Sequence, residues 1–544
     1  MSGPNETLFV GGRFIDPEIG CEPLAEAVLS RGGKIAYLGD EESARAQAGA
    51  GAQVIDLCGR TVVPGWVDSH VHVQSVGAMM GICDLSGTVN KAEAVERLTE
   101  FAAKNPDAQW VRGRGYNLNA WGDPSYPTAA DLDAAVADRP CAVRSFDGHS
   151  SWVNSAALKL LSIGKDTPDP EGGQIIRDGD GEATGMLLEG AAWKFLQPFE
   201  VETAEKMDAD LRAGVEHMVG LGYTGAHWPD IGGEAGPASV LARFDRLWPA
   251  DSCPLRIRIF TPFDCIERAA ELAHAGAGDG RVQIAGIKSF YDGTLGVRTA
   301  WMFDPYTAGD NCGMRVMELA ELRRQIERAN AAGLPLICHA IGDRACSEVL
   351  QAFVEAGDPQ AGNRIEHAQI VRPEDVGLFE RAGVAASVQP AHLWTDWQAS
   401  DRLLGPERAG TSFVFRSMLD AGVTLAVGSD APVVPADPRH SLHAAVTRTD
   451  GQGKPAGGWH TDQAMNPRQW ARAASFDAWR SIGEVARTGK LAVGADCDLT
   501  IVREDILADS FSDYLGLHVD ATVVGGRVTF SALPPRPQRP QSVD

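Results

Sequence analysis

Short apolar runs recur along the chain, and most of them alternate with segments of helical pattern. Helix-like segments such as Met317–Ala332 and Ser347–Ala356 separate most of the runs. Strands that alternate with helices predict a parallel sheet, and eight such units predict an α/β fold of the (β/α)8 TIM barrel type. The eight runs are Thr61–His70, Gly222–His227, Leu255–Phe260, Val282–Phe290, Leu334–His339, Asn363–His367, Val384–Gln389 and Val423–Ser429.

The first and second runs are too far apart to be joined by one loop. We therefore expect an inserted α/β subdomain at residues 86–205, after barrel strand 1, and a barrel made of residues 61–85 and 206–484. The strand-like and helix-like pieces of the insert are Gln109–Arg114, Cys141–Phe146 and Lys91–Ala103.

Both ends of the chain have a sequence pattern typical of short strands separated by glycine turns. Alternating or apolar triplets between such turns predict antiparallel strands. We expect one small β-sandwich domain formed by both termini, residues 1–60 and 485–533. The proline-rich segment 534–544 is predicted to be a disordered tail.

Composition narrows the class of partner. The 544 residues carry 49 basic and 73 acidic side chains, a net charge of −24. Such an acidic chain is a poor candidate for binding nucleic acid or an anionic membrane surface. Ten cysteines without a CxxC pair indicate reduced thiols, and we find no signal peptide and no run of 18 apolar residues. We expect a soluble, cytoplasmic protein.

The first apolar run ends in two histidines one residue apart, His70 and His72. In a strand, residues i and i+2 point to the same face, so these two imidazoles can bind one metal ion. By itself such a pair is also common on a solvated surface. The ends of the other runs therefore decide whether a site is present.

Barrels place their catalytic groups at the carboxyl ends of their strands. Run four contains Lys288, runs five and six end in His339 and His367, and run eight ends just before Asp430. Imidazole and carboxylate groups together suit zinc or a similar first-row divalent ion. Each residue also has a structural explanation: a histidine in the core, an aspartate that caps a helix, or a lysine paired with Asp292. Those explanations weaken when all four lie at strand ends of one barrel.

At this point the chain resembles the amidohydrolase superfamily, and within it the branch called amidohydrolase family 3, which includes deformylases of N-substituted formamides. The resemblance extends from the N-terminal strands to about Val528. The motifs that carry it are Pro64–His72, Asp147–Ser155, Gly286–Gly296, His339–Ala345, Arg364–Gln369, Ser387–His392, Gly428–Val433 and Gly489–Asp496.

The resemblance implies a site for two metal ions, most simply two Zn²⁺. His70, His72 and Asp430 would hold the more buried ion, and His339 and His367 the other. Lys288 matches the family lysine that carbon dioxide converts to a carbamate, which would bridge both ions.

From this constellation we expect a metal-dependent hydrolase of non-peptide carbon–nitrogen bonds that acts through a metal-bound hydroxide. Asp430 would accept the proton of the water and pass it to the leaving amine. The expected substrate is a small linear amide, such as an N-formyl or N-acyl amine. Candidate substrate contacts outside the metal ligands are His149, Trp152, Arg298 and His392.

Three alternatives stay open. The same site could act on a lactone, ester, carbamate or cyclic amide. It could instead serve a metal-assisted isomerase, deaminase or decarboxylase. A non-enzymatic interaction protein is the third alternative, although such a protein would be expected to lose ligands that this chain keeps. Barrels of this size often pair, so a homodimer is also an expectation.

Overall fold

The computed structural model describes residues 6–121, 125–145, 149–197, 203–229, 236–249, 252–278, 280–307, 309–485 and 487–534. Most of the predicted disordered tail, residues 535–544, lies outside the described residues, as do Phe146 and Asp147 of the predicted insert strand and motif.

The strands recur from one end of the chain to the other. In chain order they are β1 (Glu6–Phe14), β2 (Ala25–Arg31), β3 (Lys34–Gly39), β4 (Gln53–Asp56), β5 (Thr61–Pro64), β6 (Trp66–Asp68), β7 (Cys83–Asp84), β8 (Val111–Tyr116), β9 (Cys141–Ser145), β10 (Ser150–Val153), β11 (Gly173–Arg177), β12 (Ala183–Glu189), β13 (Tyr223–Pro229), β14 (Arg256–Pro262), β15 (Val282–Phe290), β16 (Leu336–Ala340), β17 (Arg364–His367), β18 (Ala385–Val388), β19 (Leu425–Val427), β20 (Leu499–Val502), β21 (Val519–Val524) and β22 (Arg527–Ser531).

The helices follow most of the strands. They are α1 (Glu41–Gln47), α2 (Val73–Met80), α3 (Lys91–Lys104), α4 (Leu118–Trp121), α5 (Ala129–Asp133), α6 (Ser155–Leu160), α7 (Gly190–Lys194), α8 (Ala204–Gly220), α9 (Gly236–Leu247), α10 (Ile266–His274), α11 (Leu319–Ala331), α12 (Asp343–Ala356), α13 (Val376–Ala382), α14 (Leu393–Leu404), α15 (Pro406–Ala409), α16 (Phe415–Asp420), α17 (Pro438–Thr447), α18 (Pro467–Ala473) and α19 (Phe476–Arg480). Short 3-10 turns lie at Phe263–Cys265, Pro373–Asp375, Pro390–His392 and Thr461–Gln463.

Eight parallel strands form the barrel, in the order β6, β13, β14, β15, β16, β17, β18 and β19. Two backbone hydrogen bonds link the ends of this sheet. Ser69 N–H donates to the Val427 carbonyl oxygen at 3.0 Å, and Asp430 N–H donates to the His70 carbonyl oxygen at 2.6 Å. The predicted α/β TIM barrel is confirmed, and each of the eight predicted runs overlaps one of its strands.

The first predicted run, Thr61–His70, is not one continuous strand. Its first half, β5, pairs with β1 and β20 in another sheet, and only β6 belongs to the barrel. Gly65 separates the two halves. A Cβ atom at Gly65 would lie 2.1 Å from the hydroxyl oxygen of Thr224, so the close approach of the neighbouring barrel strand requires glycine here.

Strands from both termini form a second sheet, so the terminal domain that was predicted as a β-sandwich is confirmed to be rich in β-structure. Hydrogen bonds connect β22, β21, β20, β5, β1, β2 and β3 in that order, and β4 pairs with β1. All eight strands therefore belong to one sheet, since β1 pairs with β4 along its first half and with β5 at its end. Buried ion pairs from Arg256 to Asp498, at 2.6 Å, and to Asp496, at 3.3 Å, connect the barrel to this domain.

The chain divides into two compact units, one of which comprises Met1–Val73 and Val215–Asp544 and the other Gln74–Gly214. The second unit contains a mixed sheet in the order β11, β12, β10, β9, β8 and β7, with helices around it. It also includes most of α2 and the first part of α8, which pack closely at Gly77. A Cβ at this position would lie 1.7 Å from the Asp210 carbonyl oxygen, so the contact requires glycine.

The helices in the described part of the chain are all too short or too polar to span a membrane.

Candidate metal centre

The barrel brings the predicted ligands to one end of five strands. His70 and His72 follow β6, Lys288 lies in β15, and His339 lies near the end of β16. His367 is the last residue of β17 and Asp430 follows β19. All of these positions are at the carboxyl ends of parallel strands, the end at which barrels carry their active sites.

The first group of potential ligands is His70, His72 and Asp430, whose donor atoms lie within 4.8 Å of one another. The Asp430 Oδ1 atom is 3.5 Å from His70 Nε2 and 3.3 Å from His72 Nε2. Asp430 has a left-handed backbone conformation, with φ of +59°. Such a conformation is uncommon for residues other than glycine and often marks a functional position.

The second group contains His367, His392 and again Asp430. His392 Nε2 is 3.8 Å from Asp430 Oδ2. The His339 ring lies next to this group, with its centroid 4.5 Å from that of His367. His339 Nε2 is 3.0 Å from the Gly293 carbonyl oxygen. Asp430 is therefore shared between two groups of imidazoles.

Lys288 is buried near both groups, and its Nζ atom has no hydrogen-bond partner in the described part of the chain. Burial lowers the pKa of this amine, and nearby Glu366 and Asp430 act in the opposite direction. The alternative pairing of Lys288 with Asp292 does not occur. Asp292 instead accepts hydrogen bonds from the backbone N–H groups of Trp301, Ile341 and Gly342, at 2.8 to 3.0 Å.

The protonation states suit metal binding, which needs neutral imidazoles and an ionised carboxylate. Burial lowers the pKa of His339 to about 3, and it also lowers the pKa values of His70 and His367. Burial alone would raise the pKa of Asp430, but the hydrogen bond with His72 and the surrounding imidazoles hold it well below its usual range.

The donor set fits divalent metal ions. It offers five imidazoles and a carboxylate, the ligand types that zinc prefers. It also contains a buried amine without a partner, which a covalently attached carboxylate would convert into a ligand. The fit thus depends on the burial of Lys288 as much as on the histidines.

A buried network behind His70 was missed in the sequence analysis. His70 Nδ1 donates a short hydrogen bond to Glu366, and Arg364 Nε donates to the same carboxylate at 2.6 Å. Arg364 also contacts His227 Nδ1 at 2.9 Å and the Ser69 carbonyl oxygen at 2.9 Å. Both Arg364 and Glu366 are fully buried. Both residues lie in the motif Arg364–Gln369, which could have indicated their role, but only its histidine was predicted as a site residue.

The four predicted substrate contacts lie in different surroundings. His392 is beside Asp430, and Arg298 is exposed on the long loop after β15. His149 is exposed in the second unit and lies 3.0 Å from Glu189. Trp152 is fully buried in the core of the second unit, and its Nε1–H donates to the Thr128 carbonyl at 2.7 Å. The structure thus places Trp152 in a core, and its contact with a substrate stays a prediction.

A comparison with protein-family models identifies the family of the chain. Residues 53–530 match the model of the amidohydrolase family. The chain belongs to the amidohydrolase family. The resemblance found in the motifs is confirmed, and it covers the barrel and most of the terminal sheet.

Two curated relatives and one solved structure are similar to this chain over most of its length. The protein LONG AFTER FAR-RED 3 of Arabidopsis thaliana is 31% identical over 525 residues, which cover 93% of this chain and 88% of the relative. The N-substituted formamide deformylase of Arthrobacter pascens is 27% identical over 534 residues, which cover 94% and 96%. An uncharacterized metal-dependent hydrolase from Pyrococcus horikoshii OT3 has a crystal structure that superposes with a TM-score of 0.72, at 26% identity, over 94% of this chain and 100% of that one.

Proposed function

We propose that this amidohydrolase-family protein is a metal-dependent hydrolase of non-peptide carbon–nitrogen bonds, and that its substrate is a linear amide such as an N-formyl or N-acyl amine. The observation that carries the proposal is the convergence of His70, His72, His339, His367 and Asp430 around the buried amine of Lys288. The similarity to an N-substituted formamide deformylase supports the choice of bond.

We propose two Zn²⁺ ions as the cofactors. His70, His72 and Asp430 would hold one ion, His339 and His367 the other, and a carbamate formed from carbon dioxide on Lys288 would lie between them. Divalent ions at this position would polarise a carbonyl oxygen and lower the pKa of water.

Asp430 has the properties of the proton carrier. It lies within 4 Å of three imidazoles, beside the positions proposed for both ions. In the proposed reaction it takes a proton from the attacking water and delivers the proton to the nitrogen of the leaving amine. We propose that His392, directly beside it, and Arg298, on the loop after β15, contact the substrate.

The proposal includes a small molecule as the partner, because the net charge of −24 disfavours nucleic acids. Ten free cysteines favour a reducing compartment, and we propose the cytoplasm. A homodimer is proposed as the assembly, and light scattering on the purified protein would test it.

The experiment that tests the function is a substrate panel with the zinc-loaded protein. The panel contains N-formyl and N-acyl amines, and as competitors lactones, esters, carbamates and cyclic amides. We expect turnover of at least one linear amide, and we expect Asp430→Asn to lose most of that activity while it keeps bound metal.

Turnover of a lactone or ester alone would overturn the assigned bond but keep the site. Undiminished activity in Asp430→Asn with metal retained would overturn the role of Asp430. An inert protein that binds no zinc would favour a non-enzymatic function.

A further inference from the structure

The second unit contains a cavity lined by three arginines. Arg112 and Arg114 lie two residues apart on β8, and Arg144 lies on the neighbouring strand β9. The cavity has a volume of about 280 Å³ and is also lined by Trp110 and Met79. This volume is close to the lower end of the range for small-molecule pockets, about 300 Å³.

The strand register explains why the three side chains lie together. Residues i and i+2 of a strand share a face, so Arg112 and Arg114 project from the same side of β8. Arg114 is paired directly with Arg144 across the parallel strands, and Ser151 of β10 follows Arg144 in the same row. The opposite face of β8 is used for the core, where Val111 and its neighbours are buried.

An anion bound in the cavity would offset the repulsion between Arg114 and Arg144, which face each other on neighbouring strands. Like charges directly opposite each other on neighbouring strands repel. Arg112 and Arg144 also interact with other groups of the chain. A guanidinium has five N–H donors in a planar fork, so an arginine that already contacts another group of the chain can keep donors for a carboxylate or phosphate oxygen.

We propose that this cavity is a binding site for a small organic dianion, in which the charged groups lie against Arg112, Arg114 and Arg144 and the apolar part lies against Trp110 and Met79. Arginine forks recognise carboxylate and phosphate groups in two-point contacts, and aromatic rings offer a flat apolar wall. The net charge of the chain is −24, so its overall field repels anions and the attraction has to come from these local charges.

The test is calorimetric titration of the full-length, metal-loaded protein with succinate and, separately, with sulfate at low ionic strength. We expect saturable binding of succinate with one site per chain, which weakens at high salt because the charges are partly exposed. Weaker binding of sulfate than of succinate would show that the apolar wall contributes. Equal binding of both would overturn that part and leave a site for inorganic anions.

Variants locate the binding. Arg114→Gln removes an exposed side chain with little risk to folding, and together with Arg144→Gln it is expected to weaken succinate at least tenfold. Arg114→Lys should retain part of the affinity. The matched control is Arg97→Gln, on α3, where an exposed arginine pairs with Glu93 outside the cavity, and it should bind succinate as the unchanged protein does.

Asp430→Asn separates this site from the metal centre and from the proposed function. We expect it to bind succinate normally, whatever its effect on hydrolysis. Succinate that binds equally well to Arg114→Gln, or that is lost only in Asp430→Asn, would place the anion elsewhere and overturn the proposal. No measurable binding to the unchanged protein would overturn it as well.

Discussion

The buried carboxylate of Glu366 gives the sharpest test of how the candidate metal centre is built. It accepts hydrogen bonds from His70 Nδ1 and from Arg364 Nε, the latter at 2.6 Å, and both Glu366 and Arg364 are fully buried. Burial alone would raise the pKa of Glu366, but Arg364 and His70 hold it well below its usual range. Glu366→Gln keeps the size of the side chain and removes its charge.

The expected cost has two parts. Removing one partner of a buried ion pair leaves an uncompensated charge on Arg364, which costs about 3–5 kcal/mol of folding free energy. An amide oxygen also replaces the carboxylate that fixes the ring of His70. Mutation of a residue that orients a metal-binding histidine in this way typically lowers metal affinity by about 10–100-fold.

Two assays measure these parts separately. Urea unfolding of the metal-free protein, followed by tryptophan fluorescence, gives the stability change, and competition with a chromophoric chelator gives the zinc affinity. The matched control is Glu321→Gln, which removes the carboxylate from the exposed pair with Arg324 and should cost less than about 1 kcal/mol. A loss below about 1 kcal/mol in Glu366→Gln, with unchanged zinc affinity, would refute the role of this network.

Three further predictions follow from the same structure. Lys288→Met should fold but bind fewer zinc ions per chain, measured by mass spectrometry, because it cannot form the proposed carbamate. A short-chain carboxylate added to Lys288→Ala should restore part of the metal content. A zinc content of Lys288→Met equal to that of the unchanged protein would contradict the bridging role. His392→Ala should keep its zinc and show a raised KM in steady-state kinetics, and loss of one zinc per chain would make His392 a ligand instead. Asp477 is buried on α19, and burial raises its pKa to about 6, with Arg472 and Arg480 acting against the rise. The folded state holds this proton more tightly than the unfolded state, so the protonated carboxyl stabilises the fold fully below about pH 4, and at most about 3 kcal/mol of this stabilisation is lost as the pH rises through 6. Asp477→Asn should therefore gain stability relative to the unchanged protein between pH 4 and pH 8. A pH-independent difference in melting temperature would contradict the raised pKa.

The barrel could be predicted because its strands are buried on both faces. β13 is buried along its whole length, and no Asp, Glu, Lys or Arg interrupts it in the sequence. The break at Gly65 could not be predicted, since β5 and β6 are equally buried and read as one run. What separates them is the approach of Thr224, which is remote in the sequence.

The candidate ligands could be predicted because strand ends of one barrel meet at the same face. The network behind them could not, because the link between His70 and Glu366 spans 296 residues and depends on the register of β17. The surroundings of Trp152 could not be predicted either. This residue lies in a motif of the family, and only the packing of the second unit shows that it belongs to a core.

The number and position of the bound metal ions test the central claim most directly. A crystal structure of the zinc-loaded protein, with anomalous scattering measured at the zinc edge, would locate every ion and show the electron density of Lys288. The account predicts two ions, one beside His70, His72 and Asp430 and the other beside His339 and His367, with added density on the Lys288 nitrogen. A protein that binds no ion at these residues, with Lys288 unmodified, would contradict it.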